Sequence, residues 1–144
     1  MLWAQTFTWV GGGGIQSWNV GANWLTGTVP NSATADVVFN NVSVTLINIP
    51  AGTQVRDFTL SGTSNVTLSG NLNIGRNLAV PSGCSFTASA GTTVTLNGAS
   101  VTQDIGGEGN TTFHNLTIDK ASNVRMTITS PIQLHCQQSC AVCR

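Results

Sequence analysis

Three features of the sequence predict an all-β chain wound as a parallel β-solenoid. Apolar and polar residues alternate over runs of about three to six residues, the length and period of short strands. Each run stops at a Gly, Pro or Asn with a conformational reason to turn there. A tetrapeptide also recurs, at Thr59–Gly62 (TLSG), Thr67–Gly70 (TLSG) and Thr95–Gly98 (TLNG). Weak repetition of strand and turn suits coils that stack and bury their inward side chains against neighbours. A β-sandwich is the alternative, since it too gives short strands between turns. It calls for longer strands, clearer hairpin spacing and a more aromatic core. No segment repeats apolar residues at helical spacing over three turns, so no helix is expected.

The elements follow in order. Residues 1–4 end in Leu2, Trp3 and Ala4 before Gln5, like the last residues of a signal peptide cut after Ala4, although no basic region or long apolar run precedes them. Residues 5–40 form a cap and first coil. They hold Trp9, Trp18 and Trp24, the glycine run Gly11–Gly14, then Gly27 and Pro30. Each indole buries a large apolar area and needs one partner for its N–H, so three rings this close imply a local aromatic plug.

Residues 41–134 carry the coils. Val42–Leu46 alternates and turns at Pro50 and Gly52, and Val55–Leu60 reads as one run. Val66–Leu68, Leu72–Ile74 and Leu78–Val80 follow, stopping at Gly70, Gly75 and Pro81. Cys84–Ala88 stops before Gly91 and Val94–Leu96 before Gly98. Val101–Ile105 ends at Gly106, Phe113–Ile118 reads as one run, and Val124–Ile128 stops before Pro131.

Val66, Leu68, Val94, Leu96, Leu116 and Ile118 are expected to stack inward in columns, with no aromatic cluster among them. Asn71, Asn77, Asn97 and Asn115, near the turns, are expected to form ladders with their equivalents above and below. The open strand edges at either end of such a stack need a cap or a partner. The tryptophan segment supplies the first, and no comparable segment covers the other end.

Composition narrows the setting. Of 144 residues 40% are hydrophobic but only 7% charged, against roughly 25% charged in typical soluble domains. Five basic and five acidic residues cancel, which leaves no electrostatic footprint for nucleic acid or an anionic membrane. No apolar run is long enough to span a bilayer. Thr, Ser, Asn and Gly carry the polarity instead, a composition frequent in extracellular β-rich proteins.

The run Thr8, Trp9, Val10, Gly11, Gly12, then Trp18, Asn23, Trp24, Gly27, Pro30 and Asp36–Phe39, resembles the start of autotransporter-associated β-strand repeat regions. Similar openings begin secreted surface β-helix proteins of the Bacteroidetes type. Val55–Leu60, Leu68–Leu72 and Thr112–Ile118 are also similar to those regions, so the resemblance covers about residues 6–120. It implies a right-handed parallel β-helix exported by a bacterium and serving as stalk, passenger or adhesin. Those proteins are usually far longer than this chain.

The candidate chemistry is sparse. Cys136, Cys140 and Cys143 in the tail, residues 135–144, have the spacing of a cluster-binding triplet. The large scaffold that such a cluster serves does not follow them. With His135 they have zinc-ligand types at a cramped spacing. A disulfide among them, with Cys84 left over or joined, suits an exported chain better. After Leu134 the sequence changes character, which also fits a tail foreign to the fold.

Asp104 and Glu108 share a glycine-rich bend with His114 beyond it, the one place for a carboxylate pair. Such a bend ordinarily marks a solvated turn. Asp36 reads as a turn or cap residue. The glycine run lacks the helix and the lysine of a phosphate loop. The threonine pairs Thr93 and Thr95, and Thr127 and Thr129, show no shared register and read as outward strand residues. Trp9, Trp18 and Trp24 are the candidates for stacking on a sugar, with burial in the cap as the competing role.

The sequence thus predicts a non-enzymatic, extracellular or cell-surface bacterial β-solenoid, structural or adhesive, without cofactor or metal. Its expected partners are itself, through end-to-end edge pairing into filaments, or extracellular glycans. A carbohydrate-binding module is the alternative. A polysaccharide-active β-helix enzyme has the least support.

Overall fold

A computed structural model describes residues 3–13, 16–98 and 102–119, and the backbone of two further strands within 126–134. β1 (Gln5–Trp9) opens the chain. β2 (Ala35–Asn40), β3 (Ser43–Asn48) and β4 (Gln54–Val55) make the first full coil. β5 (Asp57–Ser61), β6 (Asn65–Ser69) and β7 (Leu72–Ile74) make the second, and β8 (Leu78–Ala79), β9 (Ser85–Ala88) and β10 (Thr93–Leu96) the third. β11 (Gln103–Gly106), β12 (Asn110–Phe113) and β13 (Asn115–Ile118) make the fourth, and β14 (Met126–Ile128) and β15 (Ile132–Leu134) continue two of the faces.

The chain visits three sheets in rotation. The first is ordered β1-β2-β5-β8-β11-β14, the second β3-β6-β9-β12-β15 and the third β4-β7-β10-β13. Every pairing between them is parallel. The result is a β-solenoid of about four turns. The sandwich alternative fails because its sheets would be antiparallel.

Alternation places the core. In most of the described strands every second side chain is buried, as in Asn65–Ser69, where Val66 and Leu68 are inside. Register then stacks inward residues into columns: Phe7 faces Val37, Val37 faces Phe58, Phe58 faces Leu78 and Leu78 faces Ile105. Of the expected inward set, Val66, Leu68, Val94 and Leu96 are buried, while Leu116 and Ile118 on β13 are half-buried.

Three expectations need correction. Val55–Leu60 and Phe113–Ile118 are not single strands, because the coil turns a corner at Arg56 and at His114. The tetrapeptides, read from the sequence only as weak repetition, recur across sheets and not within one. They fall on β5, β6 and β10, one in each sheet, and all three place a leucine (Leu60, Leu68, Leu96) in the core. What recurs is a way of leaving a strand: an inward Leu, then a Gly, which at Gly62 and Gly70 adopts the positive φ that other residues resist.

The core is also more aromatic than expected. Phe39, Phe58, Phe86 and Phe113 form a continuous file with ring centroids 5.2, 5.4 and 5.8 Å apart. Widely spaced in sequence, they become neighbours only through stacking. Finally, among the described residues asparagine does not pair with asparagine in ladders. Asn31, Asn41, Asn71 and Asn77 each present Oδ1 to a backbone N–H of the next coil, at Gln54, Thr63, Thr93 and Asp104, over 2.9–3.2 Å. This satisfies backbone donors in a turn (Thr63), at strand starts (Gln54, Thr93) and within β11 (Asp104) with side-chain acceptors.

Thr93 and Thr95 lie on the third sheet and Thr127 on the first, so those pairs share no register, but a different threonine file runs through the second sheet. Thr67 faces Thr87 and Thr87 faces Thr112 on the outside of the second sheet. Inside the same sheet Thr111 follows Phe86 in register, fully buried, and its hydroxyl has no hydrogen-bond partner. A buried hydroxyl without a partner costs stability. Thr111→Val, nearly the same shape, is therefore expected to stabilise the fold by about 1 kcal/mol, seen as a higher midpoint in thermal and urea unfolding.

Candidate functional site

Residues 5–34 form an incomplete coil set on top of the stack. β1 pairs with β2, Ser17 makes a parallel bridge to Asn48 beside β3, and Asn31 holds the Gln54 N–H of β4. Each sheet thus receives at least one contact from the cap. The chain then reverses so that Trp24 lies antiparallel to Trp9, with Leu25 N–H donating to the Thr8 carbonyl and Val10 N–H to the Asn23 carbonyl. This strap occupies the outer edge of β1, and its direction ends the parallel series.

The tryptophans fill the space beneath. Trp9, Trp18 and Trp24 are 3%, 0% and 2% exposed. The Trp18 indole N–H donates to the Pro30 carbonyl and that of Trp24 to the Trp18 carbonyl, each at 2.8 Å. Trp24 meets Trp9 and Trp18 edge-on at 5.0 and 4.8 Å, while Trp9 stacks on Phe39 and Trp18 on Phe58. The cap and the phenylalanine file are therefore one aromatic body. Buried this way, the three indoles offer no ring face to a sugar, and the exposed indole is Trp3.

A hollow of about 270 Å³ opens between the cap and β3. Buried Trp9 and Val44 form its base. Gln16, Asn23, Val42 and Ser43 stand around it. Gln16 Oε1 accepts the Leu46 N–H, and the Asn23 side chain joins Gly13 N–H to the Ser17 carbonyl. No ionisable group lines the hollow.

Charge is gathered elsewhere. Arg56 clamps Asp36 through two hydrogen bonds of 2.7 and 2.5 Å, and Arg76 clamps Asp57 in the same bidentate manner. Arg56 also lies 3.8 Å from Asp57, which accepts the Asn77 N–H as well. Asp36 is thus a strand residue in an axial ion-pair file, not a turn or cap residue. The hydrogen bonds that Arg76 donates to Asp57 raise the guanidinium pKa above its ordinary value, aided by the charges of Asp57 and Asp36. Sequence reading missed this file. Its signal was Arg-Asp at 56–57 one coil after Asp36, visible only once the coil period is known.

The glycine-rich bend is a stacking turn. Gly107 has φ of 106°, and a Cβ there would run into the Val80 carbonyl; one at Gly109 would strike Pro81 and Cys84 backbone oxygens. Gly109 N–H bonds the Val80 carbonyl at 2.8 Å. Glycine is present because two coils touch, backbone to backbone. Asp104 and His114 are half-buried and Glu108 is exposed, and none of them lines the hollow.

Cys84 is buried and unbridged among the described residues, its sulfur against the Gly62 carbonyl. Cys136, Cys140, Cys143 and His135 lie outside the described residues, as does Thr129. Among the described residues no three His, Cys, Asp or Glu side chains gather as a metal site. None of their helices is long and apolar enough to cross a membrane. No protein family, curated protein or solved structure matches the chain.

Proposed function

We propose that this chain is a non-enzymatic structural or adhesive β-solenoid of a bacterial cell surface or extracellular space. The observation that carries the reading is axial locking. The aromatic file, the asparagine-to-backbone bonds and the Asp–Arg file all join one coil to the next. A stack fastened in this direction resists bending and shear between coils, which is what a stalk or spacer needs. The Ser, Thr and Asn surface with few charges suits an extracellular setting. The opening resembles that of exported surface β-helices, which points the same way.

Self-association belongs to this proposal in a restricted form. The strap reverses the strand direction beside Thr8–Val10, which disfavours a copy that adds in parallel at the N-terminal end. A symmetric contact between two copies, which stops at two, is the form of association expected. Light scattering with small-angle X-ray scattering on the full chain, over a concentration series with reductant, tests this. The expected result is an elongated monomer in exchange with a dimer of about twice the length. Particles that keep growing would refute the closed end, and a strict monomer would refute association. Replacing Cys136, Cys140 and Cys143 with serine should leave the dimer intact. Loss of the dimer would assign it to the tail.

A further inference from the structure

We infer a binding site for an uncharged oligosaccharide at the hollow between the cap and β3, continued along the outer face of the second sheet. It goes beyond the structural role proposed above and does not depend on it. Two features meet at Ser43. The first is the hollow itself, with an indole edge and valine at its base and amide and hydroxyl groups around it. Its volume of about 270 Å³ lies just under the roughly 300–1,000 Å³ of pockets that enclose drug-sized ligands. That is room for one sugar ring.

The second feature is a polar file that starts from the same residue. Ser43 faces Asn65, Asn65 faces Ser85, and Ser85 faces Asn110. Beside it runs the file Thr67, Thr87 and Thr112. Strand spacing sets these groups about 4.8 Å apart. Hydroxyl and amide groups each donate and accept, as the hydroxyls of a sugar chain do. Ser85 already donates to Asn65 Oδ1 at 2.7 Å, which fixes the direction of one rung.

Charge decides the class of ligand. Among the described residues Asp36, Arg56, Asp57, Arg76 and Asp104 lie on the first sheet or at its corner, and Glu108 and His114 lie just outside the two ends of β12, so the strands of this face carry no ionisable side chain. An acidic or phosphorylated ligand would find no counter-ion here. A neutral chain displaces water without stripping any charge. A peptide adding as a strand would use a sheet edge, whereas this is a sheet face. Single exposed hydrogen bonds contribute little net free energy, so affinity must grow with the number of rungs engaged.

The full chain is titrated with neutral hexasaccharides of glucose, mannose and N-acetylglucosamine, and with the matching disaccharides, by calorimetry and tryptophan emission. At least one hexamer should saturate with Kd below about 1 mM, with its disaccharide about tenfold weaker. Ser43→Trp, which fills the hollow, and Ser85→Lys, which charges the file, should each weaken the hexamer at least about tenfold, with circular dichroism unchanged. If Ser43→Trp misfolds, Ser85→Lys decides alone. Absence of saturation by all neutral hexamers, tighter binding of an acidic hexamer, or binding unmoved by Ser85→Lys would each overturn the site. None of these results bears on the light-scattering measurement, so the two proposals fail separately.

Discussion

Trp18→Ala is expected to destabilise the fold by about 3–5 kcal/mol, the range for removing a fully buried large aromatic side chain. Trp18 is wholly buried, stacks over Phe58, meets Trp24 edge-on and hands its N–H to the Pro30 carbonyl. Alanine removes all four relations at once. It leaves a cavity in the cap and a carbonyl without its donor. Coils contact only their neighbours, so the loss should be graded along the stack. Hydrogen exchange should show the largest loss of protection in β1 and β2 and the smallest in β11 and β12. Trp18→Phe keeps a ring but not the N–H, and should cost about 1–2 kcal/mol from the unpaired carbonyl and lost contact. Uniform loss of protection along the stack would mean that the cap is not a separable unit.

How much of this was legible beforehand follows from which interactions are local. Strand alternation and glycine turns are local, so the run Asn65–Ser69 and its inward Val66 and Leu68 could be read directly from the chain. The crowding of Trp9, Trp18 and Trp24 within one stretch likewise gave away the cap. The axial contacts are not local. The Asp36–Arg56 clamp spans 20 residues and the Asn77–Asp104 bond 27. Because the coil length drifts between such values, no fixed period exposed the partners. For the same reason the phenylalanine file and the threonine file were invisible, although every member stood in plain sight.

The corners show a different limit. At Arg56 and His114 the chain passes from one sheet to the next within one residue, without Gly or Pro. A coil corner needs only one residue out of the strand conformation, and any side chain that projects outward is tolerated there. Breaker residues mark long turns, so these short ones passed as continuous strand. The hollow was illegible for a further reason: its wall joins Trp9, Gly11, Gln16 and Asn23 of the cap to Val42, Ser43 and Val44, brought together only when the cap sits on β3.

Phe58→Ala should cost about 3–5 kcal/mol as well, and its consequences should differ from those at Trp18. Phe58 occupies the middle of the aromatic body, with Trp18, Phe39 and Phe86 as ring neighbours at 6.4, 5.2 and 5.4 Å. It is also the shared rung of a column, with Val37 above and Leu78 below. A cavity here cannot collapse easily, because neighbouring coils hold the backbone at fixed spacing. The interface terms on both sides of the second coil weaken together. In a stack whose stability is a sum of such terms, the two halves should then uncouple. Urea unfolding followed by tryptophan emission reports the cap half, and circular dichroism reports all coils. The two should coincide in the parent protein and separate in Phe58→Ala. Phe113→Ala, which loses contact with Phe86 alone among the rings, should be milder and leave them coincident. Phe58→Leu should recover most of the stability, within about 1.5 kcal/mol of the parent. Equal costs at Phe58 and Phe113 would refute the idea that the aromatic file couples the coils, and would reduce it to four independent core residues.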